Sequence, residues 1–185
     1  MRLFIAAPVP ESVRKKLVEI KRDFPEFSAK WVEKKNLHIT LVFVGEISEA
    51  DKVDKISEIL GKVNNEPIKL RTDGIALFPD EHKARVLAVS LTGETEKIQT
   101  LAEDVERRLR EAKIGFDEKP LHPHITLARL KRVHPRKRRS IRQKADSYKV
   151  KEETFVINEI ALLESELTSS GPIYKTLRAA PLAKG

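Results

Sequence analysis

The chain has 185 residues, 36 Lys and Arg against 28 Asp and Glu, no cysteine and a formal net charge of +8. At roughly 100 to 200 residues per domain this is one domain's worth of chain, and its 40% apolar share can furnish a core. The lack of cysteine excludes disulfides, a thiol nucleophile, Fe–S clusters and Cys-ligated zinc, which leaves catalysis to His, Ser, Thr, Lys, Tyr or carboxylates.

Residues 2–6 (RLFIA) read as a short buried strand bounded by Pro8 and Pro10. That stretch is too short for a signal-peptide core, and no 18-residue apolar run follows for a membrane span, so the expectation is a soluble, cytoplasmic protein. From Glu11 to Phe24, Val13, Leu17, Ile20 and Phe24 recur at helical spacing until Pro25. Leu37 to Val44 (LHITLVFV) is β-rich and ends at Gly45. Ser48 with Asp51 resembles a capping box, and Val53, Ile56, Leu60 and Val63 give the next helix an apolar face. Ile68 to Leu77 reads as a strand.

The same order then returns. Arg85 to Leu91 is a strand, and Ile98, Leu101, Val105, Leu109 and Ala112 line a helix ending near Gly115. Pro123 to Leu130 is a strand, a basic segment is helical after Pro135, Thr154 to Leu163 is a strand, and Gly171-Pro172 turns into a last strand from Ile173 to Leu177. The tetrapeptide HITL stands at 38–41 and again at 124–127, an offset of 86 residues that also superimposes the first strand and first two helices on their second-half counterparts. The expected fold is α+β, a single bilobal domain with an internal duplication. Its two pseudo-twofold-related lobes would each be an antiparallel sheet with helices on its outer face, enclosing a central cleft, and the protein would be a monomer.

The charge is local. Segment 131–144 (KRVHPRKRRSIRQK) holds eight Lys and Arg, among them Arg132, Arg136 and Arg139, and no acid, so the rest of the chain carries 28 basic and 28 acidic residues. One stripe thus supplies the whole excess, which suits contact with a polyanion such as a nucleic-acid backbone, or simply a solvated helix face. Abundant Lys and Glu with four Asn, two Gln and one Met also fit the usage of a thermophile.

On a strand, residues i and i+2 share a face, so His38 projects with Thr40 and His124 with Thr126. Brought together about a pseudo-twofold, two imidazoles on opposite sides of a phosphorus atom suit in-line displacement, one accepting a proton from the nucleophile and the other protonating the leaving oxygen. Imidazole serves either role near neutral pH, and threonine hydroxyls can donate to the non-bridging oxygens. Such a site needs neither metal nor cofactor. Metal binding is the rival reading because His122 and His124 flank a single residue, but His122 has no counterpart in the first half. Pseudo-symmetry leaves open which histidine is acid and which is base.

These residues carry a family resemblance. The chain resembles the two-histidine (2H) phosphoesterase superfamily, and more narrowly the LigT-like RNA 2′,3′-cyclic phosphodiesterases, also called 2′-5′ RNA ligases. The likeness runs through MRLFIAAPVP at the start, WVEKKNLHITLVFVGE at 31–46, PHITLAR at 123–129 and LLESELTSSGPIYKTL at 162–177. It implies hydrolysis of RNA 2′,3′-cyclic phosphate ends to 2′-phosphomonoesters, with an ATP-independent, reversible 2′-5′ joining activity in some members. It also implies that His38 is the acid, that His124 is the base, and that Thr40 and Thr126 hold the phosphate. Phe43 would stack on a base, Arg129 would face the phosphate, and Tyr174 would edge the cleft. Phe43 and Arg129 each lie five residues after a motif His, an odd offset that requires a bulge or a strand-end twist to bring them to the same face. Arg136 and Arg139 would guide RNA. The competing classes are a non-catalytic module binding RNA ends or nucleotides, and a basic RNA-packaging protein.

Overall fold

The computed structural model describes residues 1–80, 83–131, 133–169 and 171–183. In chain order these form β1 (Arg2–Pro8), α1 (Glu11–Leu17), a 3-10 segment (Val18–Asp23), β2 (Ala29–Trp31), a 3-10 turn (Lys34–Asn36), β3 (His38–Glu46) and α2 (Ala50–Gly61). There follow β4 (Ile68–Phe78), β5 (Val86–Gly93), α3 (Thr95–Glu111), β6 (His124–Leu130), α4 (Pro135–Ser147), β7 (Thr154–Ile157), β8 (Glu159–Thr168) and β9 (Gly171–Pro181).

The strands form two antiparallel sheets, ordered β3-β1-β8-β9 and β2-β6-β5-β4-β7. Each sheet draws on both halves of the chain. β8 and β9 extend the sheet begun by β1 and β3, while β4 crosses to lie between β5 and β7. This exchange corrects the reading of 154–163 as one strand. The run breaks at Asn158, whose carbonyl accepts the Leu182 N–H at 2.7 Å, and its two parts close different sheets.

Other local differences have equally local causes. The helix expected over 11–24 keeps α geometry only to Leu17 and then tightens to 3-10, which still delivers Ile20 and Phe24 to the core just before Pro25. No Ser48–Asp51 capping box forms, because α2 starts after Glu49 and Ser48 Oγ donates to the Glu49 carboxylate at 3.3 Å. β2 is three residues long, too short for a period-2 signal, and pairs with β6 at the sheet edge. β9 runs on to Pro181 because pairing with β8, rather than an apolar alternation of its own, holds it extended.

Leu3, Ile5, Ile39, Leu87, Val89, Ile125 and Leu127 join one continuous core with Ile56, Leu60, Ile98, Leu101, Val105, Leu109 and Ile141 from α2, α3 and α4. Fully burying each such Leu, Ile or Val side chain contributes roughly 1.5–3 kcal/mol, so this helix-covered layer carries most of the fold's stabilisation. α2 lies against β8 and β9, α3 against β3 and β4, and α4 against β4. The opposite faces of β3 and β6, which carry the HIT side chains, are left for the cleft. Among the described residues no helix is long and apolar enough to cross a membrane.

Candidate active site

β3 and β6 belong to different sheets and touch across the seam between the two lobes. Along β3, His38 and Thr40 are half-buried while Ile39 and Leu41 are buried, as alternation demands; the pattern then breaks, with Val42 buried and Phe43 48% exposed. The register with β1 explains the break. Ala6 faces Thr40 and Ile5 faces Val42, so Leu41 is the extra residue of a bulge. β6 repeats this at the equivalent position. Ala88 faces Thr126 and Leu87 faces Ala128, so Leu127 is extra, and Arg129 emerges exposed. The two bulges restore the side-chain phase, which puts Phe43 on the face of His38 and Thr40, and Arg129 on the face of His124 and Thr126. Opposite each threonine stands an alanine, Ala6 or Ala88, whose small side chain leaves room beside the hydroxyl.

The two imidazoles are held alike. His38 Nδ1 lies 2.7 Å from the Asn36 carbonyl oxygen, and His124 Nδ1 lies 2.6 Å from the His122 carbonyl oxygen. A carbonyl only accepts, so both Nδ1 atoms carry hydrogen and each neutral ring keeps its lone pair on Nε2. Burial lowers the pKa of both rings below the usual 6.5, with the carbonyl bonds acting the other way. His38 is also depressed by the positive charges of His124 and Arg129, which places all three in one electrostatic neighbourhood.

Their surroundings differ. His38 Nε2 is 3.0 Å from Thr40 Oγ1, and its ring meets Phe4 at 5.0 Å and Tyr174 edge-on at 5.3 Å. Among the described residues His124 makes no matching bond to Thr126, and its ring lies against Phe78 at 4.4 Å. Phe4 is the hub of the first lobe's aromatic wall, 6.2 Å from Phe43 and 5.0 Å from Tyr174. Burial raises the Tyr174 pKa, and the charges of Arg129 and Arg2 oppose that rise.

Of the nine residues singled out from the sequence, seven thus gather around the seam: His38, Thr40, Phe43, His124, Thr126, Arg129 and Tyr174. Arg136 and Arg139 do not join them. They are exposed on α4, which buries Ile141 and Ala145 in the helix-covered layer behind the β6 sheet, away from the cleft face. The stripe's C-terminal part is tied down, with Lys144 paired to Glu26 at 2.6 Å and Arg142 3.8 Å from Asp146. Arg132 lies outside the described residues. A groove of about 290 Å³ beside α4, lined by Phe27, Leu130, Lys131, His134, Lys137 and Ile141 among others, includes neither His38 nor His124.

Sequence reasoning missed Asn36, Phe4, Phe78 and Arg2. The Asn36 side chain had no local signal, because its partner is the Pro172 carbonyl on a distant strand. Phe4 and Phe78 reach the site through pairing between distant strands, for which one sequence carries no local signal. Among the described residues no group of three or more His, Asp and Glu side chains is arranged to hold a metal ion.

Comparisons with known proteins agree with this geometry. The family model described as LigT like Phosphoesterase matches twice, over residues 7–88 and 89–174. The chain is 36% identical to an RNA 2′,3′-cyclic phosphodiesterase of Archaeoglobus fulgidus over 181 residues, covering 96% of this chain and 98% of that one. It is 31% identical to the enzyme of the same name from Methanocaldococcus jannaschii, covering 96% and 99%. The crystal structure of a Thermus thermophilus protein, TT0787, superimposes with a TM-score of 0.78 at 30% identity, covering 100% of this chain and 99% of that one. Escherichia coli LigT, crystallised with 3′-AMP, shares the fold with a TM-score of 0.78 at 22% identity, covering 99% and 98%. With a family model matched across both halves and relatives above 30% identity along nearly the whole length, the chain belongs to the LigT-like phosphoesterase family.

Proposed function

We propose that this protein hydrolyses 2′,3′-cyclic phosphate ends of RNA by metal-independent acid–base catalysis between His38 and His124. One observation carries the reading: two imidazoles, each with Nδ1 committed to a main-chain carbonyl so that the Nε2 lone pair is the one available to a proton, stand on strands that share a bulge after the threonine and meet between the lobes. A binding module has no use for two poised proton carriers. The relatives' shared name, RNA 2′,3′-cyclic phosphodiesterase, points to the same substrate.

In this mechanism His124 Nε2 accepts a proton as water attacks phosphorus. The P–O3′ bond breaks on the opposite side, and protonated His38 delivers Nε2–H to the departing 3′ oxygen, leaving a 2′-phosphomonoester. The asymmetry of the site favours this order, since His38 has the neighbouring hydroxyl and aromatic wall that fix a ring in one place. Burial makes protonation of His38 costly in the free protein, and the monoanionic cyclic phosphate offsets that cost when it binds beside the ring. Thr40 and Thr126 donate to the non-bridging oxygens and Arg129 balances their charge. Phe43 offers its exposed ring to a nucleobase, with Tyr174 along the cleft edge. With a 5′-hydroxyl RNA in place of water as the nucleophile, the same steps in the same direction break P–O3′ and join the ends through a 2′-5′ bond without ATP.

The two family-model matches and the paired bulges support an origin by internal duplication. The cleft lies between two lobes of one chain and needs no second subunit, which fits a monomer. Arg136 and Arg139 would meet the RNA backbone only after it leaves the cleft.

The test is RNA ending in a 2′,3′-cyclic phosphate, incubated with excess chelator and its product resolved. Accumulation of the 2′-phosphate is expected. Loss of activity on chelation, or a 3′-phosphate product, would overturn the metal independence or the direction of ring opening.

A further inference from the structure

Asn36 is 6% exposed and, with Thr72, is one of two buried polar residues among those described. It ends the 3-10 turn that precedes β3, where its own N–H donates to the Glu33 carbonyl at 2.8 Å. Its main-chain carbonyl accepts from His38 Nδ1 at 2.7 Å, and its side-chain Nδ2 donates to the Pro172 carbonyl at 2.9 Å. Pro172 lies on β9 two residues before Tyr174, whose ring stands edge-on to His38 at 5.3 Å. One buried residue therefore closes a loop of contacts that runs from the imidazole through the turn to β9 and back through an aromatic ring. The residue 86 positions on is His122, which is exposed; its carbonyl accepts from His124, but its side chain bonds to no strand among the described residues.

We infer that Asn36 is a positioning residue. By anchoring β9 through its amide while its carbonyl holds His38 Nδ1–H, it secures the tautomer and the orientation of His38 through a link to the neighbouring strand that His124, held by the carbonyl of exposed His122, lacks. A buried amide that donates to a main-chain carbonyl has few other places to go, so losing the bond leaves an orphaned acceptor and lets the turn rotate. Rotation by even a fraction of an ångström moves the Asn36 carbonyl out of line with Nδ1. The Nδ1–H form of the neutral ring then loses its advantage over Nε2–H. The effect is local to His38, because His124 donates its Nδ1–H to a carbonyl on a different loop.

The experiment measures the tautomer of each imidazole by ¹⁵N NMR, and kcat and KM on a 2′,3′-cyclic mononucleotide, in wild type, Asn36→Ala, Asn36→Asp and His122→Ala. Asn36→Asp keeps the volume and removes the donor, so it carries the test if the smaller side chain unfolds the turn. Both Asn36 variants should give His38 a substantial Nε2–H population while His124 stays Nδ1–H. Their kcat should fall on the order of tenfold or more with KM little changed, whereas His122→Ala, which keeps the carbonyl that holds His124, should leave the tautomers of both histidines unchanged. A folded Asn36 variant whose His38 keeps its Nδ1–H form, or in which both histidines change alike, would overturn the inference. The kinetic arm rests on the function proposed above, whereas the NMR arm needs no substrate. A wild type inactive on cyclic phosphates would therefore sink that function and leave the positioning role to be judged on the tautomers.

Discussion

The two HIT strands are built to one plan and finished differently. Both hold histidine Nδ1 on the carbonyl two residues back, both bulge at the leucine after the threonine, and both face an alanine across the ladder. On β3 that plan is reinforced by the Thr40 contact, the Phe4 and Tyr174 rings and the buried Asn36 amide. On β6 the histidine rests against Phe78, and the loop before it is open to solvent. The shared part supplies two chemically competent imidazoles. In the proposed mechanism the unshared part would give them different tasks, the more constrained ring meeting a leaving oxygen at a fixed place and the more open one meeting water.

Breaking the shared part should have the largest effect. His38→Ala and His124→Ala should each lower kcat/KM on a cyclic mononucleotide by on the order of 10²- to 10⁴-fold, with the double variant no worse than a few-fold below either single, since neither proton transfer works alone. Thr40→Val and Thr126→Val come next, on the order of 10²-fold each, because an anion-binding donor is removed from a confined site. Thr40→Val should also disturb the His38 ring, so its pH profile should move while that of Thr126→Val does not.

The basic stripe should matter less, and only for long substrates. Arg136→Gln with Arg139→Gln should weaken binding of extended RNA and flatten its salt dependence by up to about 2 in the log–log slope, while leaving a cyclic mononucleotide unaffected. Equal losses on both substrates would tie α4 to the site itself.

The smallest effect is on stability. Both histidines have folded-state pKa values below 6.5, so the unfolded chain binds protons first and stability falls as pH drops from 6.5 through the lowered values. Thermal unfolding between pH 7 and pH 5 should show this decline, and His38→Gln with His124→Gln should make it shallower. A steeper decline in that variant would contradict the burial-driven shifts.

Much of this was readable beforehand. The HIT repeat, its offset and the alternation of β3 and β6 limited which residues could converge, and the odd offset of Phe43 and Arg129 called for a bulge or a strand-end twist, of which the structure has the bulges, at Leu41 and Leu127. The exchange of β4 and β8 between sheets was not readable, because strand pairing over such separations leaves no trace in local pattern. For the same reason Phe4, Phe78 and the Asn36–Pro172 bond stayed hidden. The basic stripe was evident as charge, yet only the packing of Ile141 and Ala145 reveals that it rides behind the catalytic sheet.

The pairing of one acid with one base is tested most directly by kcat/KM against pH on a cyclic mononucleotide for wild type, His38→Ala and His124→Ala. The account predicts a bell for wild type, loss of the alkaline limb in His38→Ala and loss of the acid limb in His124→Ala. A bell that survives in either variant, or loss of the same limb in both, would contradict it.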